Sequence, residues 1–269
     1  MSQPAATVLD RILAQTRAEV ERRKRELPLG QALRDDARAH AGARRFRDAL
    51  GMEGIGVIAE FKRRSPSAGA LRERPDLGEI VAAYQRGGAV AISVLTEGPN
   101  FEGELGDLRA ARAACDLPLL RKDFIVDAYQ LHEALAAGAD AVLLIVAALQ
   151  AGELTSLHAG ARELGLDVLV EVHDRDELRT ALAAGAEIVG INNRDLRDFS
   201  VEVARTEALL DDIPSGVLVV SESGIASAEQ VWRLRERGVH AVLVGESLMR
   251  AGDPAAALRA LIAQPSAWM

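Results

Sequence analysis

Residues 57–65, Val-Ile-Ala-Glu-Phe-Lys-Arg-Arg-Ser, carry two opposite charges inside what otherwise reads as a buried strand. Strand side chains alternate between faces, so Ile58, Glu60 and Lys62 share one side while Ala59 and Phe61 share the other. An isolated ion is costly to strip of water, so Glu and Lys are rarely buried without a partner. Two readings follow: a structural ion pair, or one wall of an acid–base site.

The pattern recurs at the ends of other apolar runs. Lys122 shares a face with Leu120, and Glu171 shares one with Leu169 and His173. Asn192-Asn193-Arg194-Asp195-Leu196 closes a further run. Glu60, Lys62, Lys122 and Glu171 on three strands suit proton transfer, because burial and neighbours can drive their pKa values apart. Two more runs end in Gly-containing turns that lead into helices, Ser221-Glu222-Ser223-Gly224-Ile225 and Gly245-Glu246-Ser247. Free backbone N–H groups at such turns form an anion site, and barrels often bind phosphate after their last two strands. His173 reads as a rim residue rather than a base or ligand, and Asp174, Asp176 and Glu177 as favouring a helix N-terminus. The five histidines show no metal-ligand spacing. Gly54-x-Gly56-x-x-Ala59 leads into a strand instead of following one, which excludes a dinucleotide fingerprint.

A weak internal repeat supplies the elements that must position these groups. Residues 86–95, 136–146, 183–191 and 237–245 each read as a helix end, a glycine suited to the left-handed conformation and an apolar run. Those glycines, Gly87, Gly138, Gly185 and Gly238, are spaced for two β-α units per repeat. Intervening strands fit at Val57–Lys62, Leu117–Asp123, Asp167–His173 and Val217–Glu222. Helices are expected near Leu77–Arg86, Leu105–Ala114, Tyr129–Ala137, Ala151–Leu164, Asp176–Ala184, Val203–Leu210, Ala228–Arg237 and Pro254–Ile262. Eight alternating units with continuously apolar strands predict an α/β fold, a (βα)8 TIM barrel, ahead of an open doubly wound sheet.

Before the first strand, Val8, Leu9, Ile12, Leu13 and Val20 form a helical apolar stripe, and Gln31–Leu50 reads as a second helix. Residues 1–50 are thus expected to be a helical extension packed over one end of a single domain spanning 1–269. The basic run Arg22–Arg25 reads as a solvated helix C-terminus.

The 269 residues are 49% apolar, with only two Trp, two Tyr and five Phe, so the core must be aliphatic. A formal charge of −8 argues against a general nucleic-acid binder. The apolar run 134–151 is split by Gly138 and Asp140, too broken for a membrane span. The lone Cys115 cannot form an internal disulfide, no secretory signal pattern opens the chain, and a cytoplasmic location is expected.

Taken in order, the strand-end motifs are specific. Ile58-Ala-Glu-Phe-Lys-Arg-Arg-Ser-Pro-Ser67, Ser93-Val-Leu-Thr-Glu97 with Phe101 and Gly103, and Leu120-Arg-Lys-Asp-Phe-Ile-Val126 come first. Leu169-Val-Glu-Val-His173, Gly190-Ile-Asn-Asn-Arg-Asp-Leu196, Ser221-Glu-Ser-Gly-Ile225 and Val244-Gly-Glu-Ser-Leu-Met249 follow. Over residues 5–262 the chain resembles the indole-3-glycerol phosphate synthase family. The resemblance implies a lyase of tryptophan biosynthesis that converts 1-(2-carboxyphenylamino)-1-deoxyribulose 5-phosphate to indole-3-glycerol phosphate, CO₂ and water. It implies Lys122 as the general acid on the ribulose carbonyl, and Glu171 and Lys62 as the groups managing the other proton transfers. Glu60 and Asn192 would orient these groups and the sugar hydroxyls. Ser65, Ser223, Gly224, Gly245 and Glu246 match phosphate-site positions, while Phe101, Phe124, Leu143, Arg194 and Leu196 match the anthranilate end. No cofactor or metal is implied. The expected partner is a small phosphorylated substrate, without nucleic acid or membrane, for a monomer or weak homo-oligomer. Another phosphate-binding barrel enzyme, such as a sugar-phosphate isomerase or a Schiff-base aldolase on Lys122, and a non-catalytic binding relative are the alternatives.

Overall fold

Eight short apolar strands pair side by side, every neighbour parallel, until the last closes on the first. They are β1 (Gly56–Phe61), β2 (Ala91–Leu95), β3 (Leu119–Lys122), β4 (Ala141–Ile145), β5 (Asp167–Val172), β6 (Ile188–Asn192), β7 (Leu218–Glu222) and β8 (Ala241–Val244). The structure is a computed structural model and describes residues 7–28, 45–66, 68–73, 75–195 and 200–265. Helices α1 (Val8–Glu26) and α2 (Phe46–Leu50) precede the barrel. Outside it run α3 (Leu77–Gly87), α4 (Leu105–Ala114), α5 (Ala128–Ala136), α6 (Ala151–Glu163), α7 (Arg175–Ala183), α8 (Ala204–Leu209), α9 (Ala228–Glu236), α10 (Glu246–Arg250) and α11 (Pro254–Ile262). The expected TIM barrel is therefore observed, with strand ends trimmed by one or two residues.

Alternation along each strand builds two cores. Ile58, Leu120, Leu143, Leu169, Ile188, Val220 and Leu243 fill the barrel interior. Val57, Ala59, Phe61, Val94, Val142, Val170 and Val242 face outward against the helices, where the Cys115 thiol is also buried. One step further along the inward faces, the side chains turn polar: Glu60, Lys122, Glu171, Asn192 and Glu222. Parallel register sets these residues at one end, with Glu60 opposite Ser93 and Asn192 opposite Glu222.

The glycine that closes α3 is Gly88, at φ 97°, and not Gly87 as the repeat suggested. Gly87 is the last helical residue, and α11 lies close against it: a Cβ there would sit 3.0 Å from Leu258. The extension also differs from expectation. Of the predicted helix Gln31–Leu50, only Phe46–Leu50 is a described helix, and residues 31–44 lie outside the described residues. The two helices occupy opposite ends of the barrel. The Arg47 backbone N–H donates to Asp167 Oδ2 at 2.9 Å, which fixes α2 beneath the start of β5. α1 instead lies near the strand C-termini, where Arg17 reaches Glu153 at 3.5 Å and the Tyr129 hydroxyl donates to Leu27 O at 3.0 Å. Its basic run is only partly solvated: Lys24 pairs with Asp127 at 2.6 Å and Arg23 with Glu133 at 3.4 Å.

Glu133 leads to a buried network behind β3. Arg121, fully buried, contacts Asp123 at 2.8 Å and Glu133 at 3.4 Å, and donates to Gln130 O at 2.7 Å. The Thr96 hydroxyl donates to the same Asp123 oxygen at 2.7 Å. Replacing Arg121 would remove the buried cation between two carboxylates, and breaking such a pair typically costs about 3–5 kcal/mol. Arg121→Met is therefore expected to lose about that much in a urea unfolding titration, with a conservative surface change such as Arg175→Lys near neutral.

Candidate active site

At the C-terminal mouth, the polar ring converges on the Lys122 ammonium. Its Nζ lies 3.2 Å from Glu171 Oε2 and 3.2 Å from Glu222 Oε2. Glu171 Oε1 accepts from Asn192 Nδ2 at 3.0 Å, and Asn192 Oδ1 accepts from the Ser223 hydroxyl at 2.9 Å. On the β1 wall, Lys62 Nζ donates to Glu60 Oε1 at 2.6 Å, while Ser93 Oγ lies 3.4 Å from the other Glu60 oxygen. Small residues make this crowding possible. A Cβ on Gly190 would collide with the Glu222 carboxyl, and one on Gly245 would sit 2.6 Å from Glu60 Oε1.

Burial and charge act against each other here. Burial disfavours the Lys122 cation, but the charges of Glu222, Glu171 and Glu60 outweigh it and hold the ammonium's pKa well above its ordinary value. Burial pushes Glu171 upward too, yet Lys122, the His173 imidazole and the Asn192 hydrogen bond bring it below the usual carboxylate range. Glu222 goes the other way. Burial, reinforced by repulsion from Glu171 and Glu60 and only partly countered by Lys122, pushes it up to about 7. Apart from that ammonium, neither Glu222 oxygen has a partner among the described residues. One site thus holds a carboxylate that stays ionised, a carboxyl poised near neutrality and a cation between them.

A cavity of about 450 Å³ opens above this ring. Glu60, Lys62, Ser65, Phe101, Lys122, Phe124, Leu143, Glu171, Asn192, Arg194, Ser223, Gly224, Gly245 and Glu246 all line it. Leu196 lies outside the described residues. The cavity has two unlike sides. Leu95, Phe101, Phe124, Leu143 and Ile145 come from β2, β3, β4 and the loops after them; Ser65, Ser223, Gly224, Gly245 and Glu246 follow β1, β7 and β8. Because strands β1, β8 and β7 are neighbours, as are β2, β3 and β4, the apolar and the Gly-rich segments face each other across the mouth.

Each side is held by its own hydrogen bonds. Glu97 accepts from the Asn100 and Phe101 backbone N–H groups at 2.8 and 3.0 Å, fixing the loop that presents Phe101. Asp123 Oδ1 accepts from the Phe124 N–H at 2.9 Å, and Gln130 Nε2 donates to Phe124 O at 2.9 Å. The bidentate Arg63–Asp107 pair, with Arg63 Nη1 donating to Glu102 O at 3.1 Å, ties the loop after β1 to the loop after β2. Opposite, Ser223 takes a left-handed conformation at φ 68°, unusual for a residue with a Cβ, and Gly224 follows at φ 79°. Asn193 holds that turn by donating from Nδ2 to Ser223 O at 3.1 Å, while its own oxygen accepts from the Thr206 hydroxyl at 2.9 Å.

Two side chains have partners that the sequence does not reveal. Glu222, expected at the end of its strand but not among the candidate site residues, stands in the ring beside Lys122; strict alternation from Leu218 and Val220 points it there. His173, expected at the rim, has a ring 12% exposed that lies between Glu171 and Glu177.

Comparison with known proteins agrees with the motif order. The family model described as indole-3-glycerol phosphate synthase matches residues 9–261. The chain is 49% identical over 254 residues to indole-3-glycerol phosphate synthase 2 of Streptomyces coelicolor, covering 93% of this chain and 98% of that one. It is 48% identical over 260 residues to the indole-3-glycerol phosphate synthase of Leptothrix cholodnii, covering 95% and 99%. Among solved structures, thiamine phosphate pyrophosphorylase from Pyrococcus furiosus superposes with a TM-score of 0.60 at 20% identity, over 77% of this chain and 94% of that one. A mutant tryptophan synthase α-subunit from a hyperthermophile, Pyrococcus furiosus, gives 0.60 at 16% identity, over 77% and 97%. At such identities these structures share the barrel alone. With the matched span and the curated relatives, the chain belongs to the indole-3-glycerol phosphate synthase family, carboxy-lyases of tryptophan biosynthesis.

Proposed function

We propose that this protein closes the indole ring of 1-(2-carboxyphenylamino)-1-deoxyribulose 5-phosphate, with Lys122 and Glu171 as its central acid and base. The observation that carries the proposal is the Lys122 ammonium, 3.2 Å from both Glu171 and Glu222, between an apolar and a Gly-rich side of one cavity. An aryl group fits the side built by Phe101, Phe124 and Leu143, with Arg194 supplying a cation for its carboxylate. A phosphate fits the side of Ser65, Ser223, Gly224, Gly245 and the Glu246 N–H, since backbone donors need no net positive charge in the chain. The ribulose carbonyl then lies between them, within reach of Lys122.

In this reading Lys122 donates its proton to the carbonyl oxygen as the ring carbon bearing the carboxylate attacks. The C–C bond forms, CO₂ leaves, and its bonding electrons restore the aromatic ring. The new hydroxyl then departs as water, driven by the nitrogen lone pair through an iminium, and loss of a neighbouring proton completes the indole. Glu171, kept ionised, accepts a proton. Lys62, paired with Glu60 on the wall beside β8, is placed to protonate the departing hydroxyl. Asn192 and Glu222 hold the sugar hydroxyls, the Glu222 oxygens, which meet the Lys122 ammonium alone among the described residues, being acceptors or, when protonated, donors. A cytoplasmic location fits the lone buried thiol of Cys115.

Incubating the protein with the carboxyphenylamino sugar phosphate should yield indole fluorescence together with one equivalent of CO₂; a flat trace from folded protein rejects the reading. Lys122→Met, which keeps the stem of the side chain, should lower kcat by about 10²–10⁴-fold, the usual worth of a positioned acid, with an unchanged circular dichroism spectrum. Glu222 supplies a pH test. Its folded-state value, about 7, lies above its ordinary 4.5, so the folded state holds the proton more tightly than the unfolded chain. Stability from this group is full below the unfolded value and is lost as pH rises through the folded one. Glu222→Gln removes that loss, and should gain on the wild type by on the order of 1 kcal/mol per pH unit across this window, read by urea unfolding.

A further inference from the structure

His173 follows the last residue of β5, two positions beyond Glu171, so the strand turns both side chains to the same side. Its Nδ1 lies 3.0 Å from Glu177 Oε2 on the first turn of α7, and its backbone N–H donates to the same oxygen at 2.7 Å. On the other edge of the ring, Nε2 is buried, 3.5 Å from Glu171 Oε1, and makes no hydrogen bond among the described residues. His173 is not among the side chains lining the cavity, so it acts on Glu171 rather than on substrate.

We propose that His173 is a positioning residue: clamped by Glu177 as an imidazolium, it orients the Glu171 carboxylate and keeps it ionised. The inference rests on Glu171 being the base of the reaction. A neutral imidazole has one donor and one acceptor nitrogen, so between two carboxylates it must turn a lone pair on one of them. Only the protonated ring donates to both. Burial opposes that charge, but the Glu177 hydrogen bond and the charges of Glu171 and Glu177 outweigh it and raise the imidazole above its usual value. Among the described residues three charged neighbours enter this balance: Glu171 on β5, Glu177 from α7, and Arg205 from α8, which opposes protonation. Lys122, from β3, meets the other Glu171 oxygen. Glu171 Oε1 already accepts from Asn192 at 3.0 Å, so the imidazolium is the second donor to that oxygen and closes the gap with a small movement.

The test compares pH profiles of kcat/KM for the wild type, His173→Leu, His173→Gln, Glu177→Gln and Glu171→Gln. An opposite charge at this distance lowers a carboxyl by roughly one pH unit or more, so His173→Leu should move the acid limb upward by about one unit and leave KM nearly unchanged. His173→Gln, a donor without the charge, should recover kcat at the plateau but not the acid limb. Glu177→Gln should move the limb the same way by a smaller amount. Nitrogen-15 NMR of the whole protein should find both His173 ring nitrogens protonated at about pH 6.5, where a free imidazole is half charged. An unmoved limb in His173→Leu and Glu177→Gln, or a neutral ring at that pH, overturns the proposal. Should His173→Leu fail to fold, Glu177→Gln and the NMR titration decide it. Glu171→Gln separates the two ideas: full turnover there rejects Glu171 as base, whereas lost turnover with an unmoved limb in the other variants rejects only the role of His173.

Discussion

A lysine ammonium among buried carboxyl groups is the constraint on which the mouth of this barrel depends. Glu171 and Glu222 each lie 3.2 Å from Lys122 Nζ, and Glu60 adds its field from the next wall. Removing the Lys122 cation would leave Glu171 and Glu222 uncompensated where water cannot screen them. The arrangement also separates the acidities of two chemically identical groups. Glu171 has Asn192 donating to one oxygen and the Lys122 ammonium at the other and stays ionised; among the described residues Glu222 meets the shared ammonium alone and is pushed toward neutrality. Parallel strands suit this task, because their ends sit at fixed spacing and aim alternate side chains inward with little freedom to relax.

That constraint reaches through the strand to the outside. Arg121 and Lys122 are adjacent, so alternation sends one to the helix layer and the other into the mouth. Arg121 anchors Asp123, whose carboxylate holds the Phe124 N–H, while Glu133 passes the contact to Arg23 of α1. The N-terminal helix thereby braces the segment that carries both the central cation and an aromatic wall of the cavity. Gly190 and Gly245 serve the same end by omission, leaving room for the Glu222 and Glu60 carboxyl groups.

Much of this was legible in the chain. Glu60, Lys62, Lys122 and Glu171 stood out because charges inside apolar runs violate the burial rule, and a violation repeated at the same strand end points to chemistry. Glu222 breaks the same rule but was masked by the Ser and Gly that follow it, which read as a turn. Gly87 and Gly88 are interchangeable to a pattern search; in the fold Gly88 takes the left-handed conformation, and both lie close against α11. His173 was placed on the correct face, yet a face says nothing of neighbours on other elements.

The sequence by itself determined the barrel, its order of elements and the end at which polar side chains gather, because these follow from period, turn chemistry and alternation along one strand. The tertiary structure alone decided the pairings. Lys122 meets Glu171 and Glu222 across strands 49 and 100 residues away in sequence, His173 meets Glu177, and α1 and α2 take opposite ends of the barrel. Charge states follow from those pairings, since a pKa is set by distances to other charges and by exclusion of water, which emerge only when the strands close.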